Sequence, residues 1–126
     1  MHWATDYIGT PWVSGESDCW HFARRVWQEQ FGFEVPMIDV DAASALAGRK
    51  AFRDRSRQGW VEVQGPMEGD AVLMTTAETP CHVGIWVDAE GGGVLHSVEG
   101  AGAIFTKAGR VGAIGYRTLG YYRRLT

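Results

Sequence analysis

The hydrophobic pattern of the chain changes period once. From Cys19 onward, Phe22, Ala23, Val26, Trp27 and Phe31 recur at the three- and four-residue spacing of one helix face, while Arg24, Arg25, Gln28 and Glu29 fall on the other. Asp18 precedes this run and suits an N-cap, because its carboxylate accepts the unpaired amides of a first turn; Gly32 suits a stop. The pattern also predicts a short helix over His2 to Ile8, ended by Gly9-Thr10-Pro11, then a loop from Trp12 to Ser17. A second helix is predicted from about Asp41 through Ala51, where Ala42, Ala43, Ala45, Leu46 and Ala47 are strong helix formers.

After Gly59 the period becomes two. Trp60 to Val63, Ala71 to Met74, His82 to Val87, Val94 to Val98, Ala103 to Thr106 and Leu119 to Leu125 read as strands. They are separated by glycine-bearing turns such as Gly65-Pro66, Glu68-Gly69-Asp70 and Gly91-Gly92-Gly93. Helices first and consecutive strands after predict an α+β fold, with N-terminal helices packed on a small antiparallel, barrel-like sheet. At 126 residues, residues 1–126 form a single expected domain.

Composition narrows the function classes. The net charge of −3 and the scattered basic pairs supply no face for nucleic acid. No apolar run approaches the ~20 residues of a membrane span, so no membrane insertion is expected. No leader pattern is seen at the N-terminus, so the expectation is synthesis in the cytoplasm without a signal peptide. Two cysteines do not make a disulfide framework, and no phosphate loop is present. No cofactor and no metal are expected: Cys19, His21, Cys81 and His82 match no standard zinc spacing, and Cys81 and His82 point to opposite faces of a strand.

The candidate chemistry starts at Cys19. An isolated cysteine is most often buried core. A thiol in the first turn of a helix, however, sits where unpaired amides and the helix dipole favour the thiolate. Two histidines follow on two strands. His82, Gly84 and Trp86 share one face of theirs, and Cys81, Val83, Ile85 and Val87 the other, so Cys81 reads as core. A hairpin centred near Ala89 sets His82 directly opposite His96, with Cβ atoms roughly 4.5–5.5 Å apart. Centred near Gly91, it separates them by roughly 13 Å. The sequence leaves both registers open. The first makes a nucleophile, base and orienter of Cys19, His82 and His96, with Gly84 leaving room for the cysteine helix. Asp70, Asp88, Glu90 and Glu99 are alternative orienters. His21 reads as a surface residue of the first turn.

These residues resemble the NlpC/P60 family of cell-wall cysteine peptidases. The resemblance rests on Gly9-Thr10-Pro11-Trp12-Val13, Asp18-Cys19, Gly69-Asp70-Ala71-Val72-Leu73, the run His82-Val83-Gly84-Ile85-Trp86-Val87, and Val94-Leu95-His96-Ser97. It implies a papain-like NlpC-type fold, with Cys19 as nucleophile, His82 as base and His96 as orienter. It also implies a peptidoglycan stem peptide as substrate, cut between D-glutamate and the diamino acid. The chain is most similar to short members encoded with phage tail genes. That likeness implies tail-tip proteins as partners and a virion-associated or exported protein acting in the periplasm or cell wall. Three positions depart from the family pattern: Trp20-His21 replaces Ser-Gly after the cysteine, Trp12 replaces a tyrosine, and Gly15-Glu16 replaces Gly-Gly. They bear on the shape of the substrate pocket rather than on the catalytic set; the expected substrate-binding residues are Trp12, Asp18 and Trp20. An N-acetylmuramoyl amidase or acyltransferase built on the same Cys-His set, or a catalytically silent tail or wall-binding module, are the alternatives.

Overall fold

A computed structural model describes residues 2–35 and 59–125. The helix expected over Asp41 to Ala51 lies outside the described residues. Near the N-terminus, the predicted short helix is a single 3-10 turn over Trp3–Asp6. The main helix, α1, spans Cys19–Val26, and its last turn loosens into a π-helical segment, Trp27–Phe31. Gly32 ends it at φ 71°, the left-handed conformation that glycine adopts without a Cβ penalty. Asp18 caps the start, accepting the His21 amide at 3.0 Å.

Six strands follow: β1 Trp60–Val63, β2 Ala71–Thr75, β3 His82–Val87, β4 Gly93–Val98, β5 Gly102–Lys107 and β6 Arg117–Arg124. They form one sheet in the order β1-β6-β2-β3-β4-β5, every neighbouring pair antiparallel. β1 and β5 stand at opposite edges, so the sheet is open rather than barrel-like. The last strand enters between β1 and β2, a placement that no local pattern encodes. Beyond the β5 edge the N-terminal segment adds two backbone hydrogen bonds, Gly9 N–H to the Ala103 carbonyl and Ala103 N–H to the Thr10 carbonyl, both 2.9 Å.

The two faces of the sheet are covered differently. Phe22, Ala23, Val26 and Trp27 of the helical segment pack on Leu73, Val83, Ile85 and Leu95, burying the main core. Trp27 also donates its indole N–H to the Gly69 carbonyl at 2.8 Å, which ties the helix to the turn before β2. On the other face Val72, Met74 and Val94 pack with Val111, Trp86, Tyr116 and Tyr121 in a second, smaller cluster. His82, paired with Met74, belongs to this second face.

Candidate active site

The N-terminus of α1 is held over the sheet by a specific contact. Buried Ser97 of β4 donates its hydroxyl to the Ser17 carbonyl at 2.8 Å, two residues before Cys19. Asp18 fixes the same loop from the other side. Besides its cap, it accepts the Gly15 amide at 2.8 Å and pairs with the His21 ring Nδ1 at 2.8 Å. Burial acts to raise the Asp18 carboxyl, but these hydrogen bonds outweigh it and hold it below the usual carboxylate range. His21, expected at the surface, is partly exposed and engaged with Asp18.

Cys19 sits at the step between His82 and Val83. Its sulfur lies against the Val83 and Trp20 backbone N–H groups. β3 pairs with β2 from His82 onward, whereas its ladder to β4 stops at Ile85–Leu95. The start of β3 thus lies beyond its ladder with β4, and Cys19 at the helix start lies against the Val83 amide there. An open cleft of about 1140 Å³ lies there, and Cys19, His82, Trp12, Asp18, Trp20 and Tyr116 all line it. Among the described residues no hydrogen bond joins Cys19 directly to His82.

The two histidines are in contact. His82 Nε2 and His96 Nδ1 are 2.7 Å apart, and the residues are 2% and 1% exposed. The register is neither of the two that the sequence left open. Ile85 faces Leu95 and Val87 faces Gly93, so the hairpin is centred on Glu90, and continuing this register sets Gly84 opposite His96. The histidines are diagonal neighbours on one face, a separation that long side chains bridge. The role expected of Gly84 also changes. A Cβ there would lie 2.4 Å from Val94 Cγ1 and 2.9 Å from His96 Cβ, on the face away from α1. Gly84 makes room for His96, not for the cysteine helix.

Of the alternative orienters, Asp70 is bound to Arg123 at 2.8 Å, Asp88 accepts the Trp86 indole at 2.9 Å and Glu90 faces Lys107 at 3.8 Å. Glu99 is exposed at the cleft rim. His96 alone of the candidates holds His82. It is itself held, its Nε2 lying 2.9 Å from the Thr106 hydroxyl. Tyr116 stacks on the His82 ring with centroids 4.7 Å apart and meets His96 edge-on at 5.5 Å. Sequence reading missed Thr106, Tyr116 and Ser97. Thr106 had one usable signal: a β4–β5 hairpin turning at Gly100 places it on the His96 face.

Trp12 is a half-exposed wall of the cleft. Trp20 is 8% exposed and packs against Trp27, so most of its surface is core. Cys81 is buried core as expected and also reaches the cleft wall.

The electrostatics favour neutral groups. Burial pushes the Cys19 thiol up to about 11, helped by the charge of Asp18 and by Cys81, against the opposing pull of the Val83 and Trp20 amides. The helix-start effect expected to lower this thiol is present but smaller than desolvation. Burial, with His96 nearby, lowers His82 to about 3; burial lowers His96 to about 4. At neutral pH the resting site holds a thiol beside two neutral imidazoles.

A helix with a cysteine in its first turn, set against an antiparallel sheet that carries a histidine pair, has the papain-like NlpC-type arrangement. The NlpC/P60 family model matches residues 8–120, and the chain belongs to that family. Membership implies a peptidoglycan-hydrolysing cysteine peptidase or amidase. The fold is similar to the crystal structure of the NlpC/p60 domain of the peptidoglycan hydrolase SagA, at 18% identity and a TM-score of 0.57, covering 98% of this chain and 92% of that one. No curated protein matches the sequence significantly. Among the described residues no helix is long and apolar enough to cross a membrane.

Proposed function

We propose that this protein is a cysteine endopeptidase that cleaves peptidoglycan stem peptides between D-glutamate and the diamino acid. The observation that carries this reading is the meeting, in one cleft, of Cys19 at a helix start with His82, whose ring is bound to His96 at 2.7 Å. Cys19 attacks the scissile carbonyl as His82 takes the thiol proton. Because burial keeps the resting thiol neutral, His82 has to take its proton for the sulfur to attack. The Cys19 backbone amide stabilises the oxyanion, His82 passes the proton to the leaving amine, and water releases the acyl group from sulfur. His96 orients the base. Trp12, Asp18 and Trp20 shape the approach to the sulfur.

The setting we infer is a phage or prophage tail component that opens the wall locally during entry. Support for it is the likeness to short, tail-encoded members of the family. Immunoblotting of purified virions tests it: signal in the tail fraction is expected, and its absence removes the setting without touching the chemistry.

The chemistry is tested by a mass-resolved digest of defined peptidoglycan fragments. Wild type should release new amino termini on the diamino acid, and Cys19→Ala should release none. Intact stem peptides freed from muramic acid would show an amidase instead. Equal release by Cys19→Ala and wild type would end the thiol mechanism.

A further inference from the structure

His82, His96 and Thr106 form a hydrogen-bonded chain across three strands. The links are 2.7 Å from His82 Nε2 to His96 Nδ1 and 2.9 Å from His96 Nε2 to Thr106 Oγ1. Thr106 is paired with Val94, so it stands diagonal to His96 just as His96 stands diagonal to His82. The three residues are 2%, 1% and 6% exposed, which leaves little room for water to compete for their donors and acceptors.

A neutral imidazole carries one N–H and one acceptor nitrogen, so such a chain has two self-consistent directions. In one, His96 donates Nε2–H to the Thr106 hydroxyl, His96 Nδ1 accepts the proton of His82 Nε2, and Nδ1 of His82 is the basic atom. In the other, Thr106 donates, both histidines carry Nδ1–H, and the His82 lone pair is spent on His96. Mixed arrangements set two donors or two acceptors face to face in a dry site, which is costly. Only the first direction survives protonation of His82 without rearrangement, because His82 Nε2–H already donates and Nδ1 receives the new proton.

We propose that Thr106 is a positioning residue whose hydroxyl accepts His96 Nε2–H and so fixes the base-competent direction of the chain. The proposal rests on the peptidase reading for its kinetic consequence, but the tautomers it specifies are properties of the free protein. Thr106 touches neither substrate nor sulfur; it acts through His96.

The test pairs Thr106→Val, which keeps the shape and removes the hydroxyl, with Thr106→Ser, which restores the hydroxyl. Two-bond nitrogen–proton NMR of the imidazoles at pH 7 reads the tautomers. Wild type and Thr106→Ser should carry the proton on Nε2 of both His82 and His96, and Thr106→Val should show His96 losing that preference. On a stem-peptide substrate, Thr106→Val should lower kcat about tenfold with KM unchanged, the scale of one hydrogen bond to a group gaining charge. Thr106→Ser should stay close to wild type. Nδ1–H tautomers in wild type overturn the proposal. So does a Thr106→Val protein with unchanged tautomers and kcat, or equal impairment of Val and Ser variants, which would mark a packing role. An inactive wild type with Nε2–H tautomers overturns the peptidase reading and leaves the direction of the chain supported.

Discussion

His82 and His96 share a 2.7 Å hydrogen bond although they are not cross-strand partners; Gly84 stands opposite His96. The bond exists because position 84 has no side chain. A methyl group there would collide with Val94 Cγ1 at 2.4 Å, His96 Cβ at 2.9 Å and the Leu95 carbonyl at 3.1 Å. None of these is the loose end of a flexible chain, so β4 or His96 has to shift. Gly84→Ala should therefore cost about 1–3 kcal/mol, the range for overpacking a core, and lower kcat more than Gly109→Ala, where a Cβ meets nothing within 4 Å. Urea denaturation and the peptide digest, run on both variants, check this. An active Gly84→Ala enzyme of wild-type stability would contradict it.

How much of this could be read from the sequence follows from the same hairpin. Strand alternation fixes which face a side chain takes, so His82, Gly84 and His96 were legible as one face. The offset between strands is set by the turn. Here the turn runs through Glu90 at φ 56°, Gly91 at 84° and Gly92 at 105°, three left-handed residues in a row, one of them not glycine. Moving its centre by one residue changes every pairing and no face, so alternation cannot reveal it. The Cys19 helix was legible because Asp18 and the apolar stripe are local signals. β6 entering the middle of the sheet and Tyr116 stacking on His82 are contacts between distant segments, and neither leaves a local pattern. The thiol was misjudged for a related reason: the helix start is visible in sequence, while the burial that raises the thiol arises only once the fold is packed.

The Cys19 thiol near 11 has a direct readout in alkylation. A raised thiol pKa means a small thiolate fraction at neutral pH. Iodoacetamide labelling of Cys19, followed by mass spectrometry, should be slow at pH 7 and rise about tenfold per pH unit up to roughly pH 10. A plateau reached below pH 8 would show a standing thiolate–imidazolium pair and would contradict the neutral resting thiol.

Stability should also depend on acid. His82 and His96 fold with values of about 3 and about 4, against 6.5 for an ordinary histidine. As pH falls below 6.5, the unfolded chain binds protons that the folded one refuses, so stability falls, and the loss ends near the folded values. Each histidine contributes up to about 1.4 kcal/mol per pH unit across that window. Unfolding free energy should drop by about 4 kcal/mol between pH 7 and pH 5, and His96→Gln should flatten the slope by about half. A pH-independent stability across this range would mean that the histidines are not buried in their neutral form.

Asp18 separates two roles that one residue can hold. It caps α1 through the His21 amide at 3.0 Å, ties the loop through the Gly15 amide at 2.8 Å and pairs with the His21 ring. It also lines the cleft, where its charge can meet substrate. Asp18→Ala removes both and should cost about 1–2 kcal/mol of stability, the scale of a lost cap. Asn caps a helix as well as Asp does, so Asp18→Asn should recover much of that stability while deleting the charge. The wild-type carboxyl lies below its ordinary 3.8, so its stabilisation is full above that pH and is lost as pH falls through the lower folded value. A stable Asp18→Asn protein whose KM rises with kcat near wild type would assign the carboxylate to substrate binding. One with wild-type KM would confine Asp18 to holding the cysteine turn in place.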